Sequence, residues 1–406
     1  MERIYFENHA GTKMDPRVFE GMMPYFNDYY GNAQSIHSFG TVSKNALEHA
    51  REQVSLLINC SPEEIYFTSC GSESNNLAIK GAVDAYKQKG RHIIMSGIEH
   101  FSVLYAGRRL GQAGFEVTFL PVDKYGLVSP EDLRNAIRDD TILVSIQHSN
   151  PEIGSIQDIK KLAEIARSRG IIFHTDAVAS AGIVAVDVKD LGVDLLSLAG
   201  TQYHGPKGAA ALYVKKGVRI TPQIDGGIQE NGRRAGTENI PAIVGFGIAS
   251  EIAMEELSLN NKKLLSLRNT LIKGISEHIE YAYLNGHIEN RLPNNVNYSI
   301  EFVEGEGMFL LLDQKGICIS SGSSCASKAL KMSHVLSAIK VDPAVGQGSV
   351  VITLSKYNDI KEVEYFLKEF SGIVGRLRGM SPLYDYYIKN GKRKPAGPGT
   401  DYDKHE

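Results

Sequence analysis

Residues 63–97, EEIYFTSCGSESNNLAIKGAVDAYKQKGRHIIMSG, read as a β-rich run, a small polar turn, a helix-length segment and a second β-rich run. The rhythm continues through EEIYFTS (63–69), RHIIMSG (91–97), FEVTFLPV (115–122), TILVSIQ (141–147), GIIFHTDA (170–177), VDLLSLAG (193–200) and AAALYVKK (209–216), which alternate with longer helical patterns. Strands spaced by helix-length segments build βαβ units, and these assemble into a mostly parallel sheet. Ligands of such sheets bind beyond the carboxyl ends of the strands. Here those ends carry SCGSES, GIEH, HSNPE and HTDAVAS, so the pocket is expected there.

The chain has 406 residues, which is long for one core and leads to an expectation of two domains. From about residue 240 a long helical stretch crosses to a second α+β region ending near Gly379, with which the first dozen residues are expected to pack. The last stretch, SPLYDYYIKNGKRKPAGPGTDYDKHE, is rich in Pro, Gly and charge and reads as a loose polar tail. A composition of 42% hydrophobic and 22% charged residues fits a globular α/β enzyme better than a disordered chain. No apolar run reaches membrane-spanning length, and MERIYFENHAG lacks signal-peptide character, so the expectation is a cytoplasmic protein with no membrane partner. A net charge of −3 gives no reason to expect nucleic acid. Cys60, Cys70, Cys318 and Cys325 have no CxxC spacing and are too few for a disulfide framework, so reduced thiols are expected.

Taken in order, GNAQSIHSFG, FTSCGSESNNLAIKG, IEHFSVL, NPEIGSIQDI, FHTDAVASAG, HGPKGAAALYV, GRRAGTENIPAIVGFG, RLPNNVN and SSGSSCAS resemble the cysteine desulfurases of the NifS/IscS type. These are pyridoxal-phosphate (PLP) enzymes of the class V aminotransferase fold. The resemblance implies an α/β protein of PLP-dependent transferase fold type I, with a mixed, mostly parallel seven-stranded sheet in a large domain and a smaller α+β domain. The boundaries expected are 14–255 for the large domain, 1–13 with 256–379 for the small one carrying the Cys325 loop, and 380–406 for the tail. A homodimer, a cofactor near the subunit interface and a persulfide formed on cysteine are also implied.

Residue by residue, Ser72 and the backbone amides of TSCGSES suit a phosphate at a helix N-terminus, although a helix cap with no ligand explains them equally well. His100 matches the family's histidine that stacks on the cofactor ring and moves protons. Asp176 matches the aspartate that pairs with the pyridine nitrogen, making the ring an electron sink. Thr237 resembles the residue lent to the phosphate by the neighbouring subunit. The alignment breaks in SLAGTQYHGPKG (197–208), where Ala199, Thr201 and Gln202 stand in place of the family's serine, histidine and Schiff-base lysine. An amide nitrogen is not nucleophilic and cannot act as the base for an α-proton. Lys207 belongs to the GPKG turn.

Four further positions bear on the same pocket. Ala179 stands for a glutamine, Pro151 for an asparagine and Val351 for the arginine that grips the substrate carboxylate. His9 replaces a small residue and is expected to refill part of the cavity. These changes make the PLP site a vestigial one. Cys325 is retained in SSGSSCAS, where it would act as a sulfur-accepting nucleophile or an iron–sulfur ligand; no other metal ligand is expected. Cys318 reads as packing, while Cys70, inside the phosphate turn, is left open.

The leading expectation is a cysteine desulfurase-like protein without PLP-lysine catalysis, acting in sulfur transfer or iron–sulfur cluster assembly through Cys325. Its partner would be an IscU-like scaffold or another sulfur acceptor, docking near the tyrosines of SPLYDYY and the basic KNGKRK, and a cluster would sit at that interface. No covalent cofactor is expected, and bound PLP is expected to be absent. Two alternatives stay open: an active PLP-dependent enzyme releasing sulfur from L-cysteine, and a structural subunit of an active paralogue.

Overall fold

The computed structural model describes residues 3–321 and 332–391. β1 (Ile4–Tyr5) opens the chain. β2 (Ile65–Thr68), β3 (His92–Ser96), β4 (Glu116–Leu120), β5 (Thr141–Ser145), β6 (Ile172–Asp176), β7 (Leu195–Ala199) and β8 (Ala210–Val214) form a seven-stranded sheet in the order β2-β8-β7-β6-β5-β3-β4. Each falls in one of the seven runs read from the sequence. β8 is antiparallel to both neighbours, and every other pair is parallel. Every residue of β3, β5, β7 and β8 is buried, as befits strands covered on both faces.

The covering helices include α1 (Ser38–Leu57), α2 (Gly71–Tyr86), α3 (Phe101–Gln112) and α4 (Ile240–His278). α2 buries Ser74, Leu77, Ala78 and Gly81, one stripe at helical spacing. α4 begins at Asn239, whose side chain accepts from Ala242 N, with Pro241 in the first turn where a missing N–H costs nothing. It then runs for 39 residues. Its first half, with Ile240, Ile243, Phe246 and Ile252, completes the core beneath the large sheet. Its second half, with Leu264, Leu267, Leu271 and Ile275, enters a different core.

That second core gathers β9 (Ala282–Leu284), β10 (Asn295–Ile300), β11 (Ile317–Cys318) and β12 (Ser349–Thr353), while the short α5 (His334–Ala338) packs in a separate cluster with Ile98 and Ile153 and α6 (Ile360–Gly379) closes the second core. β12, β10 and β9 pair antiparallel in that order, while β11 pairs parallel with β1. Phe6, fully buried, meets Phe366 edge-on at 5.8 Å, and Phe366 stacks on Phe370 at 4.9 Å. Ile4 and Phe6 near the amino terminus therefore pack in the carboxy-terminal core. On this packing we propose the two-domain division at residues 13/14 and 255/256.

One expectation needs correcting. Pro382–Asn390, read as loose tail, is a helix capped by Ser381, with Tyr387 packed on Tyr281 and Phe302 and Tyr384 on Phe302. Tyrosines count as polar tail in a compositional reading, but their rings bury area. Among the described residues no helix is long and apolar enough to cross a membrane.

Candidate functional site

Parallel strands bring several carboxyl ends, with their polar loops, to one edge of the sheet. His100 follows β3 as the N-cap of α3, and its Nδ1 accepts from Ser102 N at 3.2 Å. That bond fixes the tautomer: neutral His100 carries its proton on Nε2, directed away from the helix. Ser102 Oγ also lies 2.7 Å from Nδ1, and it accepts from Asn75 Nδ2 at 2.9 Å. The other hydrogen of Asn75 Nδ2 goes to Asp176 Oδ2 at 2.7 Å, while Asp176 Oδ1 accepts from Val178 N at 2.9 Å. His100 and Asp176, far apart in sequence, are thus joined through Ser102 and Asn75.

Asp176 is 7% exposed, so burial makes these donors necessary. Asn75 and Ser102 were missed in the sequence reading. Asn75 is one helical turn beyond Ser72 and Ser102 is two residues after His100, but only the tertiary fold shows that their side chains meet.

Ser72 lies in the first turn of α2, exposed, with its carbonyl accepting from Asn76 Nδ2. With Asn76, Lys80, His100, Phe101 and Tyr105 it lines an open cleft of about 320 Å³. Thr237 lies exposed in the loop ahead of α4, and the same loop is tied to α2 by Arg234 Nε donating to Glu73 Oε1 at 2.9 Å. Cys70, the residue before α2, is exposed, and Cys60 is buried enough that its thiol is pushed up to about 12. Cys318, half-buried in β11, has its thiol raised by burial and by Asp313. Cys325 lies outside the described residues.

Gln202 sits in the short turn after β7. Its Nε2 donates to His9 O at 3.0 Å, and the turn is zipped to the amino-terminal segment by Thr12 N and Oγ1 on Thr201 O (3.1 and 2.9 Å). His9, partly buried, has its imidazole lowered to about 4 by desolvation. Its Nδ1 lies 3.0 Å from Thr353 Oγ1 and its Nε2 3.4 Å from Ser320 Oγ. Lys356 shares a cavity of about 30 Å³ with Gln202, but its ammonium is committed to Asp15 (2.7 Å) and Glu256 (2.8 Å). Val351 is fully buried in β12, and its N–H donates to Ser320 O. Lys207 is exposed.

These residues do not fit a lysine-linked PLP. The amide at 202 is turned onto a backbone carbonyl and offers no amine for a Schiff base, whereas Asp176 accepts one chain donor on each oxygen and keeps lone pairs free.

The chain matches the family described as aminotransferase class-V over residues 4–366. It is 50% identical over 380 residues to the cysteine desulfurase IscS of Methanosarcina thermophila, covering 94% of each chain. It is 46% identical over 389 residues to that of Dictyoglomus turgidum, covering 96% of this chain and 99% of the other. A solved NifS-like protein is 38% identical and superposes with a TM-score of 0.87 over 92% of this chain and 100% of that one.

Proposed function

Because this chain belongs to the aminotransferase class-V family, with cysteine desulfurases among its relatives, we propose that it works in sulfur transfer through Cys325 and without PLP-lysine chemistry. The observation that carries this reading is Gln202: its amide is bonded to His9 O, where an active enzyme needs a free amine. Asp176 accepts from Asn75 Nδ2 and Val178 N, each bond worth about 0.5–1.5 kcal/mol, while Asn75 Oδ1 has no hydrogen-bond partner among the described residues. Ser72, His100, Asp176 and Thr237 would be left as weak noncovalent contacts to PLP.

In the transfer step, the Cys325 thiolate attacks the terminal sulfur of a donor persulfide. The donor S–S bond breaks, its electron pair leaves on the donor thiolate, and Cys325 carries the persulfide onward to a sulfur acceptor or an IscU-like scaffold, where a cluster would form. Exposed apolar side chains between Phe19 and Phe39, including Phe26, Tyr30 and Ile36, support a homodimer. A cytoplasmic location suits free thiols.

The test is to incubate the protein with L-cysteine and reductant, with and without added PLP, and to measure sulfide. We expect no turnover and no yellow colour. Exposure to a small-molecule persulfide should add one sulfur mass to Cys325, and Cys325→Ser should abolish both that adduct and support of cluster assembly. Steady sulfide release would favour an active enzyme using another amine, such as Lys80 in the cleft beside His100.

A further inference from the structure

Helix α5 is seated by contacts that centre on a buried carboxyl. Ser333 caps it: the hydroxyl oxygen accepts from Val335 N at 3.1 Å, and the hydroxyl donates to Glu152 Oε2 at 2.7 Å. Next along, His334 Nε2 donates to Glu99 O at 3.0 Å, and its ring lies 4.8 Å from that of Phe101. Val335, Leu336 and Ile339 pack on Ile98 and Ile153. α5 has only five residues, so these contacts are most of what holds it.

The loop beneath is pinned. Glu152 N donates to Asn150 Oδ1, and Glu152 O accepts from Asn295 Nδ2 and Asn297 Nδ2 at 3.2 and 3.0 Å. Gly154, at φ +77°, lets the backbone pass Asn295, whose Oδ1 would lie 2.5 Å from an added Cβ. Among the described residues the Glu152 side chain has a single donor, Ser333, and its Oε1 has no hydrogen-bond partner. A carboxylate so placed leaves its charge nearly uncompensated, and water reaches it only if something moves. α5 is the side able to yield.

We propose that Glu152 and Ser333 form a proton-controlled latch, in which the neutral carboxyl keeps α5 seated and its ionisation opens α5 to water. α5 follows Cys325 in the chain, so the latch would act on the anchor downstream of that thiol.

Burial raises Glu152 from 4.5 to about 7, outweighing the Ser333 hydrogen bond, which by itself favours the ionised form; no charged group contributes. Several other groups face the seat. Glu99, beside β3, is raised by burial to about 8, with Asp176 adding slightly. His148, in the same loop as Glu152, is lowered by burial to about 4. Arg291, behind Asn295, is lowered by burial to about 9. His334 is lowered by burial, with His100 and Arg108 contributing, and would loosen α5 on the acid side instead.

The folded-state value of Glu152 is above the exposed one, so seating is strongest below pH 4.5 and weakens as pH rises toward 7. Amide hydrogen exchange on α5, corrected for intrinsic rates, should be compared in the full-length wild type and E152Q. Relative to E152Q, wild-type protection should fall at least tenfold between pH 5 and 7 and level off above it. Parallel curves across the range would overturn the latch. Should E152Q fail to fold, a carbon-13 titration of the wild-type Glu152 carboxyl decides: a midpoint near the ordinary value overturns it too, and a midpoint near 7 supports it.

Discussion

Glutamine and lysine are both long and polar, yet only one has a lone pair free to condense with an aldehyde. Gln202 uses its amide as a staple to His9 O, a bond an ammonium would also make. Gln202→Lys should therefore fold, and with added PLP should gain yellow absorbance. On the function proposed above it should still release no sulfide from L-cysteine, since buried Val351 stands where the resemblance implies a carboxylate-gripping arginine. Sulfide from the single variant would show that residue 202 alone separates this chain from an active enzyme. Asn75 works on the same small scale. By giving one hydrogen to Asp176 and one to Ser102, it supplies a buried carboxylate with a donor and ties it to the segment that carries His100.

The loop that leads to Thr237 is governed by elements rather than by its own residues. Glu230 and Asn231 both take left-handed backbone conformations, at φ 48° and 55°, which non-glycine residues adopt at a cost of about 1–3 kcal/mol each. What holds them is α1 and β2. Arg51 on α1 donates twice to Glu230, both at 2.8 Å, and once to Ile65 O, while Phe67 N on β2 donates to Glu230 Oε2 at 2.7 Å. The pair is buried, so removing one partner strands a charge. Arg51→Met should lower unfolding free energy by about 3–5 kcal/mol in denaturant titrations, and the double variant with Glu230→Leu should lose less. Equal losses for the two would mean that the charge was not the issue.

Over the whole molecule, buried titratable groups set the pH range of stability. Glu99 and Glu152, raised to about 8 and about 7, contribute stability that is complete below 4.5 and is lost as pH climbs through those values. His9 and His148, lowered to about 4, and His174, lowered to about 3, contribute stability that is complete above 6.5 and is lost as pH falls through those values. The melting temperature should accordingly peak near pH 6.5 and fall on both sides, and Glu99→Gln should flatten the alkaline arm. A profile unchanged in that variant would count against a buried, protonated Glu99.

The sequence by itself determined the seven strands, the long crossing helix and the glutamine at position 202. Periodicity and residue chemistry are local properties, readable one segment at a time. Only the tertiary structure decided that Asn75 and Ser102 join His100 to Asp176, that Gln202 is spent on His9 O, that tyrosines of the expected tail close onto Tyr281 and Phe302, and that Glu99 Oε2 and Glu152 Oε1 are buried with no hydrogen-bond partner among the described residues. Each of those depends on which side chains meet across distant segments, and on how much water their meeting excludes.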